Sequence, residues 1–326
     1  MLDFPGTRYI VFDKGTRYIA NRNGRRHTMS QWTVSEPDRI TIDEPVGTLH
    51  VRIIDGAVNV VAAEGPARLE VTELEGEPLH VTLENGVLTV TYKNLNWGEL
   101  GEAVKSVQSV KELFSSLRRK RRAVVSLAVP AGSEVKIGTV SADSTVSGVA
   151  GHVAVHGASG ATTLVGLSGR TEANSVSGDV DAQSVSGELK VKTVSGGITV
   201  VAGTADRLSA NSVSGAVTLD LDVETPSDIK VNTVSGAVGV RLPSLADAKV
   251  EAGTNSGDVS STFEQLKVNG TWGAKKLSGQ LGDGKGSLQV TTVSGAVTVL
   301  HRPDTEDEGP VVVKELPAGP DLTKEA

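Results

Sequence analysis

The sequence predicts an all-β protein, specifically a parallel β-solenoid with a β-rich N-terminal cap and one inserted amphipathic helix. Three observations support this prediction. A short phrase (a small polar residue, then Val, Ser and Gly) recurs along the chain, apolar and polar residues alternate after it, and aromatic residues make up only 3% of the 326 residues. A short fixed repeat indicates a stack of repeated units. Alternation indicates strands with one buried face, and a core of small side chains suits thin, evenly stacked coils.

The recurring phrase marks the predicted corners between strands. From Gly160 to Gly196 its glycines are 9 residues apart, and from Gly196 to Gly279 the steps are 19, 21, 21 and 22 residues. Glycine can adopt a positive φ, or make room for a close neighbour, where one strand turns into the next. The predicted structural corners are Gly148, Gly178, Gly187, Gly196, Gly215, Gly236, Gly257, Gly279 and Gly295.

The strands between the corners should build one continuous core. Val217 and Leu219 alternate with polar residues after one corner. Val238 and Val240 do the same after the next corner. We expect all four side chains to point inward, because stacked coils about 4.8 Å apart bury one face of every strand.

The N-terminal part of the chain is predicted to contain two segments. Residues 1–30 hold several basic residues and little pattern, and we interpret them as a flexible basic arm whose physiological start is either Met1 or Met29. Residues 31–97 contain a succession of alternating stretches with turn signals such as Asn85-Gly86, which predicts a β-rich N-terminal domain or cap.

The segment 98–122 is predicted to be an amphipathic basic helix between the cap and the repeats. Apolar residues recur along it at helical spacing: Leu100, Val104, Val107, Val110, Phe114 and Leu117. It ends in five basic residues: Arg118, Arg119, Lys120, Arg121 and Arg122. Two roles stay open. Either the apolar stripe covers the first coil, or the basic end contacts an anionic membrane surface or an acidic partner, where each basic residue contributes about 1 kcal/mol.

The rest of the chain is predicted to be the β-solenoid, at residues 123–300, followed by a disordered acidic tail at residues 301–326. The tail has four prolines, and its seven acidic residues outnumber three basic ones. That composition is typical of disorder.

The composition argues against several classes of function. The chain has no cysteine, which excludes thiolate metal sites and cysteine nucleophiles, and its net charge of −7 argues against general nucleic-acid binding. The Gly-rich run 279–286 resembles a phosphate-binding loop but lacks the Ser/Thr and leads into a strand pattern. His152 and His156 would lie about 13 Å apart on a strand, too far to share a metal ion. We therefore expect no catalytic, cofactor-binding or metal-binding residues and no enzymatic activity.

Three sequence features indicate a family resemblance: the Trp-Thr-Val-Ser-Glu-Pro stretch at 32–37, the Val-Gly-x-Leu-x-Val strand at 46–51 and the Thr/Ser-Val-Ser-Gly repeats. With these features, the chain from Trp32 to Val299 resembles the bacterial adhesin family of β-strand-repeat proteins, a domain of unknown function. The resemblance implies a parallel β-solenoid without enzymatic activity, and the family's name implies a surface location. The bactofilins, β-solenoids that polymerise end to end, are a more distant architectural analogy.

We interpret the chain as a non-enzymatic interaction scaffold associated with the cell envelope. The alternative is a self-assembling, bactofilin-like filament protein. The expected partners are an unidentified protein, further copies of the chain through the solenoid ends, and an anionic membrane surface through the basic helix, but no nucleic acid. No stretch reaches the length of a transmembrane helix, and the N-terminus lacks the apolar region of a secretory signal. We therefore expect a cytoplasmic protein that is peripheral to the membrane.

Overall fold

The computed structural model describes residues 9–12, 16–20, 26–93, 121–222, 226–270 and 273–302, with side chains from residue 29 onward. These residues form 27 strands, and none of them is helical. The all-β part of the prediction is therefore confirmed. The alternation of apolar and polar residues explains the result, because each strand can bury one face while its backbone pairs with neighbouring strands.

The strands are short and follow one another closely. The first ten are β1 (Tyr9–Phe12), β2 (Thr16–Ala20), β3 (Arg26–Val34), β4 (Asp38–Ile42), β5 (Thr48–Ile53), β6 (Asp55–Ala62), β7 (Ala67–Gly76), β8 (Leu79–Glu84), β9 (Val87–Tyr92) and β10 (Arg121–Val129). The next eight are β11 (Glu134–Thr139), β12 (Asp143–Ser147), β13 (Val153–Gly157), β14 (Thr162–Val165), β15 (Arg170–Ser175), β16 (Val180–Gln183), β17 (Ser186–Thr193) and β18 (Ile198–Ser212). The last nine are β19 (Val217–Leu221), β20 (Asp228–Thr233), β21 (Val238–Leu242), β22 (Ala248–Thr254), β23 (Val259–Ser261), β24 (Lys267–Asn269), β25 (Lys275–Leu281), β26 (Gly286–Thr292) and β27 (Val297–His301).

The strands form two ladders that share β18. We define ladder A by its spatial order β1-β2-β3-β8-β9-β5-β11-β13-β15-β17-β18-β20-β26-β22-β25-β24. Ladder B has the order β4-β7-β10-β6-β12-β14-β16-β18-β19-β21-β27-β23. The first part of β18 pairs in ladder B and its second part pairs in ladder A, so one long strand connects the two.

The inward faces of both ladders contribute to one hydrophobic cluster. In ladder B, Val217, Val238 and Val297 are register partners on successive strands, and each is at most 2% exposed. Leu219 and Val240 are buried in the same way. The four side chains that the sequence predicts to point inward are therefore in the core, which extends from Val34 to Val299.

The predicted fold class, a parallel β-solenoid with an N-terminal cap and one inserted amphipathic helix, is wrong. The sheet is mixed, because β3, β7 and β8 at one end and β24 and β25 at the other pair antiparallel. One reason is local: Asn85 and Gly86 have φ of 50° and 78°, the geometry of a tight hairpin turn that returns the chain antiparallel.

The inserted helix is also corrected. Its last two residues, Arg121 and Arg122, begin β10, which pairs with β6 and β7. Alternate residues of this strand, from Ala123 to Val129, are buried, and two-residue periodicity with backbone partners on both sides favours a strand. The remainder of the predicted helix, residues 98–120, lies outside the described residues, as does the tail from residue 303 onward.

The spatial order of the strands departs from the order along the chain near the C-terminus. Strand β26 lies between β20 and β22, and β27 lies between β21 and β23. The last repeat therefore inserts between two earlier ones. Strands β5 and β6 likewise pair directly with β11, β10 and β12. The boundary drawn at residue 122 falls inside strand β10, and the other boundaries, at residues 30, 97 and 300, stay predictions.

Candidate functional site

The recurring phrase forms a four-residue corner in which buried and exposed positions have different roles. In the copy at 233–236, Thr233 and Gly236 are buried, whereas Val234 and Ser235 are exposed. The Thr233 hydroxyl donates to the Gly236 carbonyl oxygen over 2.8 Å. The corner thus places one valine and one serine per repeat on the surface.

Six exposed serines donate hydrogen bonds to backbone carbonyl oxygens through both the N–H and the hydroxyl. Ser235 donates both its N–H (2.9 Å) and its hydroxyl (3.3 Å) to the carbonyl oxygen of Val213 on the preceding corner. Ser214 does the same to Val194, over 2.9 and 3.2 Å. The same double donation occurs at Ser159, Ser177, Ser256 and Ser294. These hydroxyls hold corners together, and among the described residues no histidine or carboxylate accepts from them as a general base would.

Six of the predicted corner glycines stack in one column. A Cβ atom on any of them would lie 1.9–2.1 Å from the carbonyl oxygen of the next glycine in the column: Gly178, Gly196, Gly215, Gly236, Gly257 and Gly295. These positions need glycine because two backbones approach closely there. Gly148 and Gly187 lie elsewhere and have positive φ, of 71° and 76°. Gly279 lies within β25, where a Cβ would be 2.5 Å from the Gln265 carbonyl oxygen.

Five valines of the phrase form an exposed ridge, whereas Val146 and Val185, before Gly148 and Gly187, are buried. Each of the five is 44–47% exposed: Val176, Val194, Val213, Val234 and Val293. We call this set the valine ridge. It is one side chain wide, with the engaged serines directly beside it, and Asn255 takes the next position after Val293. The sequence analysis treated the phrase as a corner and missed this surface, although the signal is the valine within the phrase itself.

The broadest regular surface is the outward face of ladder A, which consists of the side chains that alternate with the core positions. Its residues are His50, Arg52, Lys136, Gly138, Ala154, His156, Glu172, Asn174, Lys190, Lys192, Ser209, Asn211, Lys230, Asn232, Gln289, Thr291, Glu251 and Gly253. Opposite charges and amides pair from strand to strand. Lys190 Nζ lies 3.9 Å from Glu172 Oε1, and Asn232 Nδ2 donates to Asn211 Oδ1 over 3.0 Å.

Three shallow depressions open on this outward face. The first, about 420 Å³, lies around Gly253 and is bordered by Lys275 and Lys276. The second, about 340 Å³, includes Ser209, and the third, about 260 Å³, includes Gly138. Each depression contains a small residue of the outward face, which leaves room above the sheet between longer neighbouring side chains.

The structure places two residues of the predicted basic contact, and they are already paired. Arg121 Nη2 lies 2.7 Å from Glu77 Oε1, and its guanidinium carbon is 5.8 Å from the Tyr92 ring centroid. Arg122 Nε lies 3.4 Å from Glu73 Oε2. The Arg121 side chain is only 14% exposed, so it offers little surface to a membrane. The other three residues, Arg118, Arg119 and Lys120, lie outside the described residues.

The Gly-rich run 279–286 is occupied by a carboxylate of the protein itself. The Lys285 N–H donates to Asp247 Oδ1 over 2.9 Å, and Lys285 Nζ lies 2.8 Å from Asp283 Oδ2. Hydrogen bonding from the Lys285 backbone lowers the pKa of Asp247. The loop leads into strand β26, as the sequence pattern predicts. The backbone amide of Lys285 is therefore bonded to Asp247 and its side chain is paired with Asp283, so neither group is left for a phosphate.

The two histidines considered from the sequence have separate partners. His152 Nδ1 lies 3.4 Å from Glu134 Oε1, and His156 Nδ1 is 3.2 Å from Asn174 Nδ2. Within the described ranges, no group of three or more His, Asp or Glu side chains is placed to hold a metal ion. In the same part of the chain, no helix has the length and apolar character needed to cross a membrane.

A buried carboxylate on β19 binds the arginine that follows the last described strand, β27. Asp220 accepts from the guanidinium groups of Arg241 and Arg302, and Arg302 Nε is 3.0 Å from Asp220 Oδ1. Arg302 Nη1 also lies 3.2 Å from the exposed Asp222. The hydrogen bond from Arg241, followed by that from Arg302, holds the pKa of Asp220 below its ordinary value of 3.8.

Asp220→Asn is expected to destabilise the protein at neutral pH but much less in acid. Because the pKa of Asp220 is lowered on folding, its ionised form stabilises the fold above the unfolded-state pKa. This contribution disappears as pH falls through the folded-state pKa. We expect a loss of about 1–2 kcal/mol in the free energy of unfolding at pH 7, which becomes smaller as pH falls below the ordinary pKa of 3.8. Denaturant titrations of parent and variant at pH 7 and at successively lower pH values measure it.

The control for this prediction is Asp222→Asn, which removes a carboxylate that is more exposed and contacts Arg302. Its cost at pH 7 should be smaller than that of Asp220→Asn. An equal loss of stability in the two variants, or a loss in Asp220→Asn that does not change with pH, would show that ionised Asp220 does not stabilise the fold as proposed.

Comparison with known proteins finds one family and several solved structures. The model of the Toastrack DUF4097 family matches residues 50–300. No curated protein matches the sequence. A candidate adhesin from Parabacteroides merdae is 12% identical, with 86% of this chain and 98% of that one covered and a TM-score of 0.42.

Two further solved structures are 13% identical to the chain and cover 82% of it. One is a candidate cell adhesion protein from Clostridium sporogenes, covered over its full length with a TM-score of 0.25. The other is a candidate lipid-binding protein from Parabacteroides distasonis, covered over 98% with a TM-score of 0.43. The TM-scores of all these structures are low, so they do not inform the function.

Proposed function

Because the chain belongs to the Toastrack DUF4097 family, we propose that it is a non-catalytic, adhesin-like scaffold that binds its partner on the outward face of ladder A. The matched residues, 50–300, include the parallel strands that present this face. Membership of a family does not specify a partner, so the proposal depends on the surface itself.

The observation that supports this surface is that the three depressions share one face. The face is regular, its side chains stand on paired strands, and its charges are balanced between neighbours such as Arg170 and Glu188, whose Nε and Oε2 are 3.9 Å apart. Sites on strands are held more precisely than sites on loops. A row of shallow recesses on a rigid sheet suits a partner that makes many separate contacts.

The corner serines support a non-catalytic role. Their hydroxyls donate to backbone carbonyl oxygens, as Ser235 does to Val213 and Ser214 does to Val194. An activated serine needs a base within hydrogen-bond reach and donors aimed at a developing oxyanion. The corner geometry uses the serines for structure instead.

The proposal places the scaffold at the cell envelope. Of the basic residues expected to contact an anionic membrane, we retain only Arg118, Arg119 and Lys120, because Arg121 and Arg122 are paired with Glu77 and Glu73. Basic residues near an anionic bilayer each contribute about 1 kcal/mol to binding, so three can assist membrane contact but do not anchor the protein alone.

The filament alternative receives no support from the family match or from the ladder ends. The free strands at the C-terminal end, β23 and β24, have three residues each. Short edge strands present few unpaired backbone groups to another chain.

Photo-cross-linking in cells tests the proposed surface. A cross-linking amino acid at Asn232, on the outward face of ladder A, should give a discrete protein adduct. The same amino acid at the exposed Thr218, in strand β19 of ladder B, should not. The adduct should fractionate with membranes. Equal labelling from both positions, or none from Asn232, would refute the proposed face, and an adduct found only in the soluble fraction would refute the envelope location.

A further inference from the structure

One of the three depressions has a rim that is entirely basic among its charged residues. It lies across strands β5, β11 and β13, has a volume of about 260 Å³ and includes Gly138 and Ala154. Its charged or titratable lining residues are His50, Arg52, Lys136 and His156. We call this set the basic depression. No carboxylate lines it.

The basic depression departs from the pattern of the rest of the outward face. On strands β15 and β17, opposite charges face each other, as in the pair Lys190–Glu172. In the basic depression, by contrast, His50 and Lys136 are register partners and Arg52 faces Gly138. Arg52 and Lys136 are therefore diagonal neighbours that carry the same charge, and like charges on paired strands repel. A bound anion would reduce this repulsion.

Two of the four side chains have groups without a partner. Among the described residues, Arg52 has no carboxylate within ion-pair distance, and the buried His50 Nε2 atom has no hydrogen-bond partner. The other two are partly engaged. Lys136 Nζ lies 2.8 Å from Glu134 Oε1, and His156 Nδ1 is 3.2 Å from Asn174 Nδ2.

The spacing of the sheet sets the size of the ligand. Arg52 and His156 stand on either side of Gly138, two strand spacings apart, or about 10 Å between their backbones. Gly138 has no side chain to fill this gap, and a Cβ there would meet only the Arg52 Cγ atom, at 3.8 Å. A tetrahedral oxyanion fits such a gap and can accept from groups on both sides, with Arg52 able to donate two parallel hydrogen bonds.

We propose that the basic depression binds the phosphate group of a ligand, with Arg52 and Lys136 as the charged donors and His156 opposite Arg52 across Gly138. The proposal names the ligand chemistry of one part of the outward face and so rests on the proposed function. The phosphate belongs either to a membrane lipid headgroup or to a soluble phosphate ester. The chemistry at the depression is the same for both.

Anion binding in the basic depression should strengthen as pH falls. Burial, followed by the charges of Lys136 and Arg52, lowers the pKa of His50, and a bound dianion would oppose that shift. The other charged or titratable groups nearby are Glu134 on β11, His152 just before β13 and Glu172 on β15. On the remaining side, β9 contributes the neutral Thr89. Sulfate is the probe for this pH dependence, because its charge does not change between pH 6 and 7.5, about the range in which histidine titrates.

The test is a titration of the full chain with inorganic phosphate, followed by calorimetry and by NMR of ¹⁵N-labelled histidines. The His50 and His156 resonances should shift together and saturate. Gly138→Val should abolish this response, because it fills the depression without changing a charge and meets no close backbone atom. Arg52→Gln should weaken binding about tenfold. Glu134→Gln should tighten it, because it removes the carboxylate that pairs with Lys136.

The matched control is Lys192→Gln, which removes a cation from the same face outside the basic depression. It should leave phosphate affinity unchanged. Absence of saturable binding, equal binding by the parent and Gly138→Val, or an equal loss in Lys192→Gln would overturn the phosphate site. The photo-cross-linking at Asn232 would still test the proposed function separately.

A second arm identifies the source of the phosphate. Parent and Gly138→Val proteins are compared on phosphatidylcholine vesicles with and without phosphatidic acid, and with a soluble sugar phosphate. Binding to phosphatidic acid vesicles that is lost in Gly138→Val supports a lipid headgroup. Binding of the sugar phosphate that is lost in the variant supports a soluble ester. If Gly138→Val binds both as the parent does, the depression is not the binding site.

Discussion

Val238→Asp is expected to unfold the central part of ladder B. Val238 is 2% exposed and lies between Val217 and Val297 on the neighbouring strands. The substitution removes buried apolar surface and places a carboxylate where neither water nor a cation can reach it. We expect a loss of about 4 kcal/mol or more in the free energy of unfolding, measured by denaturant titration, with faster amide hydrogen exchange in strands β19, β21 and β27.

Val234→Asp is the matched control, because it makes the same change four residues earlier in the chain. Val234 belongs to the valine ridge and is 47% exposed, so an aspartate there stays in water and should cost less than about 1 kcal/mol. If Val238→Asp is as stable as Val234→Asp, the inward assignment of this strand is incorrect.

Gly215→Ala is expected to be nearly as disruptive, although it adds a single methyl group. That methyl carbon would lie 1.9 Å from the Gly196 carbonyl oxygen, so the two corners must separate and the hydrogen bonds between Ser214 and Val194 must lengthen. Overpacking of this kind costs about 1–3 kcal/mol, and a backbone atom in the way favours the upper end. Thermal unfolding of parent and variant measures the effect.

Gly239→Ala provides the contrast. A Cβ on Gly239 meets nothing within 4 Å, and Gly239 is not among the residues with positive φ. Alanine there should leave stability unchanged or raise it by about 0.4–1 kcal/mol, because it restricts the unfolded chain. Similar melting temperatures for Gly215→Ala and Gly239→Ala would show that the glycine column does not depend on close backbone approach.

The recurring phrase has a structural role, and the proposed binding surface lies elsewhere. The same corner supplies a buried glycine, an engaged serine and an exposed valine, so its recurrence is explained by structure. The variable positions are elsewhere, on the outward face of ladder A, where Lys190, Ser209 and Lys230 occupy equivalent places on successive strands. Differences between equivalent positions are what a binding surface needs, and the basic depression is the largest departure from the local pattern.

Sequence reasoning identified the features that depend on residues close together in the chain. The two-residue alternation at Val217, Leu219, Val238 and Val240 reports which face is buried, because side-chain direction follows directly from strand geometry. The turn at Asn85-Gly86 could also be predicted, since its positive φ values are a property of those residues. The same local reasoning assigned Arg121 and Arg122 to a helix, although they begin strand β10, because helical spacing up to Leu117 says nothing about where backbone partners begin.

What the sequence alone determined is therefore the all-β class and the inward face of its strands, since both follow from local periodicity. Only the tertiary structure decided which strands pair. The ladders contain many similar edges, and their pairing depends on packing free energies summed over residues far apart in the chain. This is why β26 and β27 insert between earlier strands. The same reason explains why His50, Lys136 and His156 come together around Gly138. These residues span more than 100 positions of the sequence, so no local pattern could have placed them side by side.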